Sequence, residues 1–132
     1  MPLSDHARKL LDGGNILTVA TINPDGSPQT TTVWCRTDGD DVVFSTIRGR
    51  RKHRNLERDP RVSISVFDPT SPFDRVEIRG RATITDDPRG TLIDELSHRY
   101  TGRPWLETDP SAKRVIVRVN ALNIVERRTS PR

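Results

Sequence analysis

The sequence of 132 residues is poor in cysteine and in aromatic residues. Its single cysteine, Cys35, can form no disulfide within the chain, and one thiol cannot build a structural zinc site. Three histidines, His6, His53 and His98, lack the spacing of metal ligands, so we expect surface histidines and no metal site. Aromatic residues make up only 5% of the chain, too few to predict the base-stacking surface of a nucleic-acid-binding barrel.

Long apolar runs are also missing. None approaches the roughly 20 residues that a membrane-spanning helix needs. The N-terminal segment has no apolar stretch followed by a small-residue cleavage site, so it does not resemble a secretory signal. We therefore expect a cytoplasmic protein with no membrane partner. The length predicts a single domain over residues 1–132, with a frayed tail at 128–132.

The positive charge of the chain is concentrated in one segment. The formal net charge is +4, and residues 48–61 alone hold seven Lys or Arg residues against two acidic residues. The rest of the chain is close to neutral. Such a segment attracts an anion, which can be a nucleic acid, a phosphorylated cofactor or an acidic lipid surface.

Alternating apolar residues and strong turn signals predict a mainly β domain. We expect six strands, at residues 15–23, 28–36, 41–46, 61–67, 76–84 and 113–127. The first three are expected to form a meander, because Asn23-Pro24-Asp25-Gly26 and Asp38-Gly39 are typical turns. Gly80 lies on the apolar face of its strand, where a barrel strand bends. The absence of alternating strands and helices favours a six-stranded antiparallel barrel.

Two or three short helices complete this prediction. Ser4 is a suitable N-cap for a helix that ends before Gly13. Residues 50–58 contain one large apolar side chain, Leu56, so a helix there is expected to lie on the surface. Asp87-Pro88 predicts the start of another helix, with Asp as N-cap and Pro at the first helical position.

One segment has the features of a phosphate site. A strand that ends in Ser45 and Thr46 is followed by a turn at Gly49 and by a helix that begins near Arg51 and Lys52. Backbone N–H groups at a helix start, hydroxyl donors and cations all suit a phosphate. A solvated basic face is the alternative interpretation, and both stay open on the residues alone.

The segment FSTIRGRRKHRNLERDPRVSI, with the hairpin DGSPQTTTVWCR before it and VEIRGRATI after it, resembles the pyridoxamine 5′-phosphate oxidase-like family. The resemblance covers roughly residues 10–127. It implies the FMN-binding split β-barrel, of Greek-key type, and a homodimer with two flavin-type cofactors at the subunit interface. It implies phosphate contacts by Thr46, Arg51 and Lys52, and contacts to the cofactor ring by Thr32, Val33 and Ser45.

The sequence of the basic segment is similar to that of the actinobacterial branch of the family, which uses the deazaflavin coenzyme F420. Thr31 and Arg36 stand where the oxidases carry an Arg and a Lys that contact FMN, and the substrate-holding C-terminal extension has no counterpart. The extra cations Arg48, Arg50 and Arg54 would suit the phosphodiester and oligoglutamate tail of F420. The resemblance therefore implies an F420-dependent oxidoreductase that transfers a hydride to a small organic acceptor. An FMN-binding oxidoreductase and a non-enzymatic carrier are the alternatives.

Catalytic side chains are not expected, since the cofactor itself supplies the chemistry of hydride transfer. The two tryptophans leave alternatives open. Trp34 lies on an alternating strand and can line the ring site or belong to the core. Trp105 lies in a loop and can cover the cofactor of the partner subunit or, as we favour, pack against its own domain.

Overall fold

The computed structural model describes residues 1–128, which form three helices and seven strands. The helices are α1 (Asp5–Asp12), α2 (Arg51–Arg58) and α3 (Thr91–Thr101). The strands are β1 (Leu17–Ile22), β2 (Pro28–Val33), β3 (Arg36–Asp38), β4 (Asp41–Ile47), β5 (Arg61–Asp68), β6 (Ser71–Asp86) and β7 (Arg114–Arg127). They form one antiparallel sheet in the order β2-β1-β5-β6-β7-β4-β3. Most of the predicted tail, residues 129–132, lies outside the described residues.

The sheet has seven strands and not the predicted six, because the strand expected at 28–36 is interrupted. The N–H of Cys35 donates to the hydroxyl of Tyr100 at 3.1 Å instead of to a neighbouring strand. That hydroxyl donates to the carbonyl of Asn15 at 2.6 Å, and the ring of Trp34 stacks on Tyr100. These contacts separate β2 from β3, which become the two edges of the sheet within residues 1–128. The predicted meander and the predicted number of six strands are therefore wrong, whereas the mainly β, antiparallel fold with short helices is confirmed.

The centre of the sheet is formed by β5, β6 and β7, and Gly80 of β6 lies at an irregularity in the strand pairing. The pairing of β6 with β7 shifts by one residue between Arg79 and Gly80, which leaves Leu122 as the extra residue of a β-bulge. A Cβ atom at position 80 would lie 2.1 Å from the carbonyl oxygen of Asn120. Glycine is needed here because the backbone of β7 approaches so closely.

Two of the three helix starts follow the sequence signals. The hydroxyl of Ser4 accepts from the N–H of Ala7 at 3.0 Å, as expected of an N-cap, and α2 begins within one residue of its prediction. The third helix begins later than expected. The carboxylate of Asp87 accepts from the N–H groups of Thr91 and Leu92 at 3.0 and 2.9 Å, so it caps α3 across an intervening turn. Pro88 lies in that turn and not in the helix.

The helix α2 is partly buried, which corrects the expected surface helix. Leu56 is buried, and so are the polar residues His53 and Asn55. The amide of Asn55 donates to the hydroxyl of Thr21 and to the side-chain oxygen of Asn23, both at 3.0 Å. Hydrogen bonds replace apolar contacts on this helix face, so the apolar content of the segment underestimates its burial. The prediction of a surface histidine is wrong for His53.

The apolar core has two parts. The larger one fills the space between the sheet and α1, with Leu11, Leu17 and Phe44 among its most buried side chains. A smaller cluster packs α3 against β4 through Val43, Leu92 and Leu96, with the aromatic rings of Trp34 and Tyr100 beside it. Trp34 and Leu96 of this second cluster also line a cavity beside the start of α2. Within residues 1–128, no helix is long and apolar enough to cross a membrane.

Candidate functional site

The candidate site is built around the turn that joins β4 to α2. Thr46 lies near the end of β4, and Gly49 follows in the left-handed region with φ of +93°. A side chain at that φ would be strained, so glycine is required for the turn. The helix starts at Arg51 without a side-chain cap, and its first N–H groups have no partner within the helix. A helix start of this kind favours a bound anion.

A cavity of about 480 Å³ opens beside this turn. One part of its wall is cationic and carries Arg50, Lys52 and Arg114. Another part is apolar and aromatic, with contributions from β2, α3 and the loop before β7. These apolar and aromatic residues are Ile16, Val33, Trp34, Ile93, Leu96 and Trp105. The cavity can therefore accommodate a ligand that has an anionic end and a flat apolar end.

The cations at the cavity repel one another. Burial lowers the pKa of the Lys52 ammonium group, and the charges of Arg50 and Arg114 lower it further. Among the described residues, no carboxylate forms an ion pair with Lys52 or Arg50. A bound anion would relieve this repulsion and raise the Lys52 pKa again.

A hydroxyl group is also available at the cationic end. The side-chain oxygen of Thr46 is buried and has no hydrogen-bond partner within the described chain, and Thr46 is one of the cavity-lining residues. The Ser45 hydroxyl lines the same wall and lies 3.5 Å from a guanidinium nitrogen of Arg114. An unpartnered buried hydroxyl is costly unless a ligand or water satisfies it. The residues present therefore fit a phosphate group.

The structure brings six of the eight predicted site residues to this cavity: Thr32, Val33, Ser45, Thr46, Arg50 and Lys52. It places the other two elsewhere. Arg48 forms an ion pair with Asp86 at the end of β6. Arg51 lines a separate shallow cavity with Asn23, Pro24, Asp25 and Gln29.

A cluster of three residues from the loop before β7 and from the start of β7 forms another part of the wall, and sequence reasoning missed two of them. The carboxylate of Glu107 accepts from the indole N–H of Trp105 at 3.0 Å and from Nε of Arg114 at 2.9 Å. The Arg114 guanidinium lies over the Trp105 ring, 5.0 Å from its centre. These hydrogen bonds from Arg114 and Trp105 lower the pKa of Glu107. Arg114 reaches the site because it pairs with Ile47 across two strands, a contact that no local sequence signal reveals.

The two tryptophans pack against each other, and both line the cavity. Trp105 packs against its own domain, with its ring edge-on to Trp34 at 6.0 Å between centroids, and it also lines the cavity. Trp34 lines the cavity while it stacks on Tyr100. Both indoles are therefore placed to report on a ligand by fluorescence.

Several solved structures are similar to this chain over most of its length. A solved structure named F420 Reductase is 32% identical, with a TM-score of 0.85 over 95% of this chain and 100% of that chain. A conserved hypothetical protein from Mycobacterium tuberculosis is 29% identical, with a TM-score of 0.75 over 92% and 82%. The General Stress Protein 26 from Bacillus anthracis shares the fold at 21% identity, with a TM-score of 0.70 over 91% and 89%.

No curated protein sequence matches the chain significantly. The family model described as pyridoxamine 5′-phosphate oxidase matches residues 3–127. This match covers both edges of the sheet and every residue of the cavity wall. The chain belongs to the pyridoxamine 5′-phosphate oxidase family.

Proposed function

We propose that this protein is an oxidoreductase that binds coenzyme F420 in the 480 Å³ cavity and transfers a hydride from it to a small organic acceptor. The observation that carries this proposal is that Lys52, Arg50 and the Thr46 hydroxyl meet at one end of a cavity with an apolar, aromatic wall. Within residues 1–128, that hydroxyl has no hydrogen-bond partner. When bound, the reduced deazaflavin supplies the hydride. The protein supplies binding and orientation.

The phosphate would be held at the start of α2. Lys52 provides a point charge, and the Thr46 hydroxyl donates a neutral hydrogen bond from the buried end of β4. Arg50, the residue before the first residue of the helix, lines the same wall. Arg51, which faces a different cavity, would contact the extended part of the cofactor instead. Arg54 is exposed on α2 and would add charge for an anionic tail, through contacts that salt screens.

The ring would lie against the apolar wall. Thr32 and Val33 on the edge strand β2 and Ser45 on β4 line the cavity next to Trp34. Because β2 is an edge strand within the described sheet, it approaches the cavity without being covered by another strand. These residues would orient the ring and exclude water from one of its faces.

Two observations favour F420 over FMN. The neighbour named F420 Reductase is 32% identical over nearly the whole chain. In addition, Arg36 stands where the oxidases carry a Lys that contacts FMN, but here its side chain already forms an ion pair with Glu95 of α3. Thr31, at the other altered position, has no charge to offer.

A titration of the purified apo-protein tests the choice of cofactor. F420 and FMN are added separately while the fluorescence of Trp34 and Trp105 is followed, since both rings line the cavity. We expect F420 to bind at least about tenfold more tightly, which corresponds to roughly 1.4 kcal/mol. FMN that co-purifies in stoichiometric amount, or that binds more tightly at every salt concentration, would place the protein with the FMN-binding enzymes.

Turnover separates an enzyme from a carrier. Reduced F420 is mixed with the protein and with quinones or activated alkenes, which accept a hydride, and its reoxidation is followed by absorbance. Acceleration over the protein-free reaction supports the oxidoreductase. Tight binding without any acceleration would support the carrier.

We also propose that the protein is a homodimer. An apolar depression of about 510 Å³ lies on the face formed by β1, β5, β6 and β7, and none of its lining residues lines the cofactor cavity. An interface on this face would differ from the one with two cofactors that the resemblance implies. Leu122, the bulged residue of β7, is 54% exposed beside it, whereas Ile22 is partly buried and Val62 is buried. An uncovered apolar surface of this kind is typical of an interface.

Sedimentation equilibrium should give twice the chain mass of 14.9 kDa, and Leu122→Glu should shift the protein towards monomer. A wild-type protein that stays monomeric at micromolar concentration would contradict the proposal.

A further inference from the structure

The turn that carries the proposed phosphate site has all of its inner N–H groups engaged. The N–H of Arg48 donates to the carbonyl of Lys113 at 2.8 Å, and that of Arg50 donates to the carbonyl of Ile47 at 3.1 Å. The N–H of Gly49, between them, donates to Nδ1 of His53 at 3.0 Å. The middle of the turn is thus held by a side chain, while both of its flanks are held by backbone carbonyls.

The chemical state of His53 follows from this contact. A nitrogen that accepts a hydrogen bond carries a lone pair, so Nδ1 is unprotonated and the neutral ring has its proton on Nε2. The ring is only 2% exposed, and Nε2 has no partner among the described residues. The carboxylate of Glu57 approaches the same Nδ1 at 3.6 Å, which is beyond hydrogen-bond distance, and its side chain is 53% exposed. The shorter contact with Gly49 therefore determines the role of the ring.

We infer that His53 is a positioning residue that holds the Gly49 turn and thereby places Arg50 and Lys52 at the cavity. His53 lies one residue after Lys52, so its ring ties the start of α2 back onto the turn. Gly49 adopts a φ of +93°. Because a glycine carries no side chain, few other contacts fix its backbone conformation. The inference rests on the proposed function, because that function states what the turn binds.

This arrangement determines which groups remain for an anion. The N–H groups of residues 48–50 are occupied, so the turn does not offer them to a ligand. Binding then depends on side chains, above all Lys52 and Thr46, and on the first N–H groups of α2. Such groups bind well only when their positions are fixed beforehand. A loosened turn would weaken binding although no group that contacts the ligand had been removed.

Two substitutions of His53 separate this role from simple packing. In His53→Asn, the amide oxygen takes the place of Nδ1 and can accept from Gly49, although most of the ring volume is lost. In His53→Leu, most of the volume is kept but the acceptor is lost. His98→Leu on α3, whose side chain is 53% exposed, is the matched control.

The binding of F420 and of inorganic phosphate to each variant is measured by titration, and ¹⁵N NMR spectra monitor each titration. We expect the Leu variant to bind F420 about two- to tenfold more weakly, as the loss of one neutral hydrogen bond implies. The Asn variant and the control should stay within about twofold of the wild type. Equal binding by the Leu variant and the wild type, or weakened binding by Asn with normal binding by Leu, would overturn the inference.

A second measurement uses the wild type alone and does not depend on the variants folding. A scalar coupling across the hydrogen bond should connect the amide nitrogen of Gly49 with Nδ1 of His53, and its absence would contradict the assigned contact. If the coupling is present but the wild type binds neither F420 nor phosphate, the proposed function fails, and the role of His53 in binding fails with it. If the wild type binds while the Leu variant binds equally well, only the positioning role fails.

Discussion

The cations of this chain have two kinds of surroundings, an ion pair or a cavity wall. Arg61 and Arg118 form ion pairs with Asp59 and Asp38, at 2.7 and 2.6 Å. Lys52, by contrast, lines a cavity beside other cations, without a carboxylate partner among residues 1–128. The pKa values show the same difference. The hydrogen bonds from Arg61 lower the pKa of Asp59 to about 2, whereas burial and neighbouring cations lower the pKa of Lys52.

The difference shows that charge counted along a sequence overstates the charge offered to a ligand. Of the seven cations in residues 48–61, Arg48 and Arg61 are paired with carboxylates, and Arg58 donates to the carbonyl of Ile22. A carboxylate beside a cation offsets the charge of that cation locally. Uncompensated cations at a cavity gain a stabilising partner only when an anion binds.

The largest effect that would test this comparison is expected for Lys52→Ala. Charge-assisted hydrogen bonds contribute about 1.5–3 kcal/mol, so F420 should bind about ten- to a hundredfold more weakly. The dissociation constant is measured by tryptophan fluorescence. Lys9→Ala on the exposed side of α1 is the matched control and should bind normally. If the two variants bind alike, Lys52 is not a phosphate contact.

Arg51→Ala should have a smaller effect, about two- to fivefold, because Arg51 is exposed and its contacts are screened by salt. The loss should disappear at about 0.5 M salt, where the screening length falls to a few Å. The loss caused by Lys52→Ala should persist there, since Lys52 is half-buried. Binding is measured at both salt concentrations for both variants. An Arg51 effect as large as that of Lys52, and independent of salt, would place both residues on the same phosphate.

Glu107→Gln should act in the opposite direction and tighten F420 binding by about two- to threefold, as one screened charge allows. The amide can still accept from the indole of Trp105, but it no longer neutralises Arg114. Glu77→Gln, which removes a carboxylate that pairs with Arg79 on β6, is the control. Weaker binding by the Glu107 variant would show that its carboxylate positions Arg114 and does not compete with the ligand.

The smallest binding effect is expected for Arg118→Met, because Arg118 pairs with Asp38 and Asp41 and lies outside the cavity. Its effect should appear in stability instead. The hydrogen bond and charge of Arg118 lower the pKa of Asp38 below its usual value of 3.8. A carboxylate with a lowered pKa stabilises the fold above its ordinary pKa and loses this contribution as the pH falls through the lowered value.

Urea unfolding at several pH values checks this expectation. The difference in unfolding free energy between the wild type and the Arg118 variant should be largest near neutral pH and should shrink as the pH falls below the usual pKa of Asp38. A difference that stays constant with pH would mean that Arg118 contributes through packing. F420 binding that fell with Arg118→Met would remove the distinction between the two kinds of cation.

Local signals predicted those features that depend on neighbouring residues. The Ser4 cap, the turn at Gly26, with φ of +87°, and the bounds of α2 agree with the sequence because each involves only a few consecutive residues. Of the predicted residues that reach the cavity, Thr32, Val33 and Arg50 rest on the resemblance to the family, whereas Ser45, Thr46 and Lys52 were predicted from a strand end followed by a basic helix start. Their patterns combine residue type with position in an element, and both can be recognised in a sequence.

The different placement of Arg51 and Lys52 could not be predicted in this way. The two residues are adjacent in the sequence and have the same charge. Consecutive residues of an α-helix point about 100° apart, so only one of them can face a given cavity. Which one does so depends on how α2 rotates against the sheet, and the buried side chains of Asn55 and Leu56 determine that rotation.

The sequence by itself determined a mainly β domain like that of the family, the basic turn and the residue types that suit a phosphate. It could do so because strand alternation, turn chemistry and charge are local properties. Only the tertiary structure decided which cations stay unpaired and which residues complete the cavity wall. Arg114 and Glu107 join the site through the pairing of β7 with β4 and through a loop packed on α3. Such contacts join residues that are far apart in the chain, and burial of the whole sheet, not any local pattern, stabilises them.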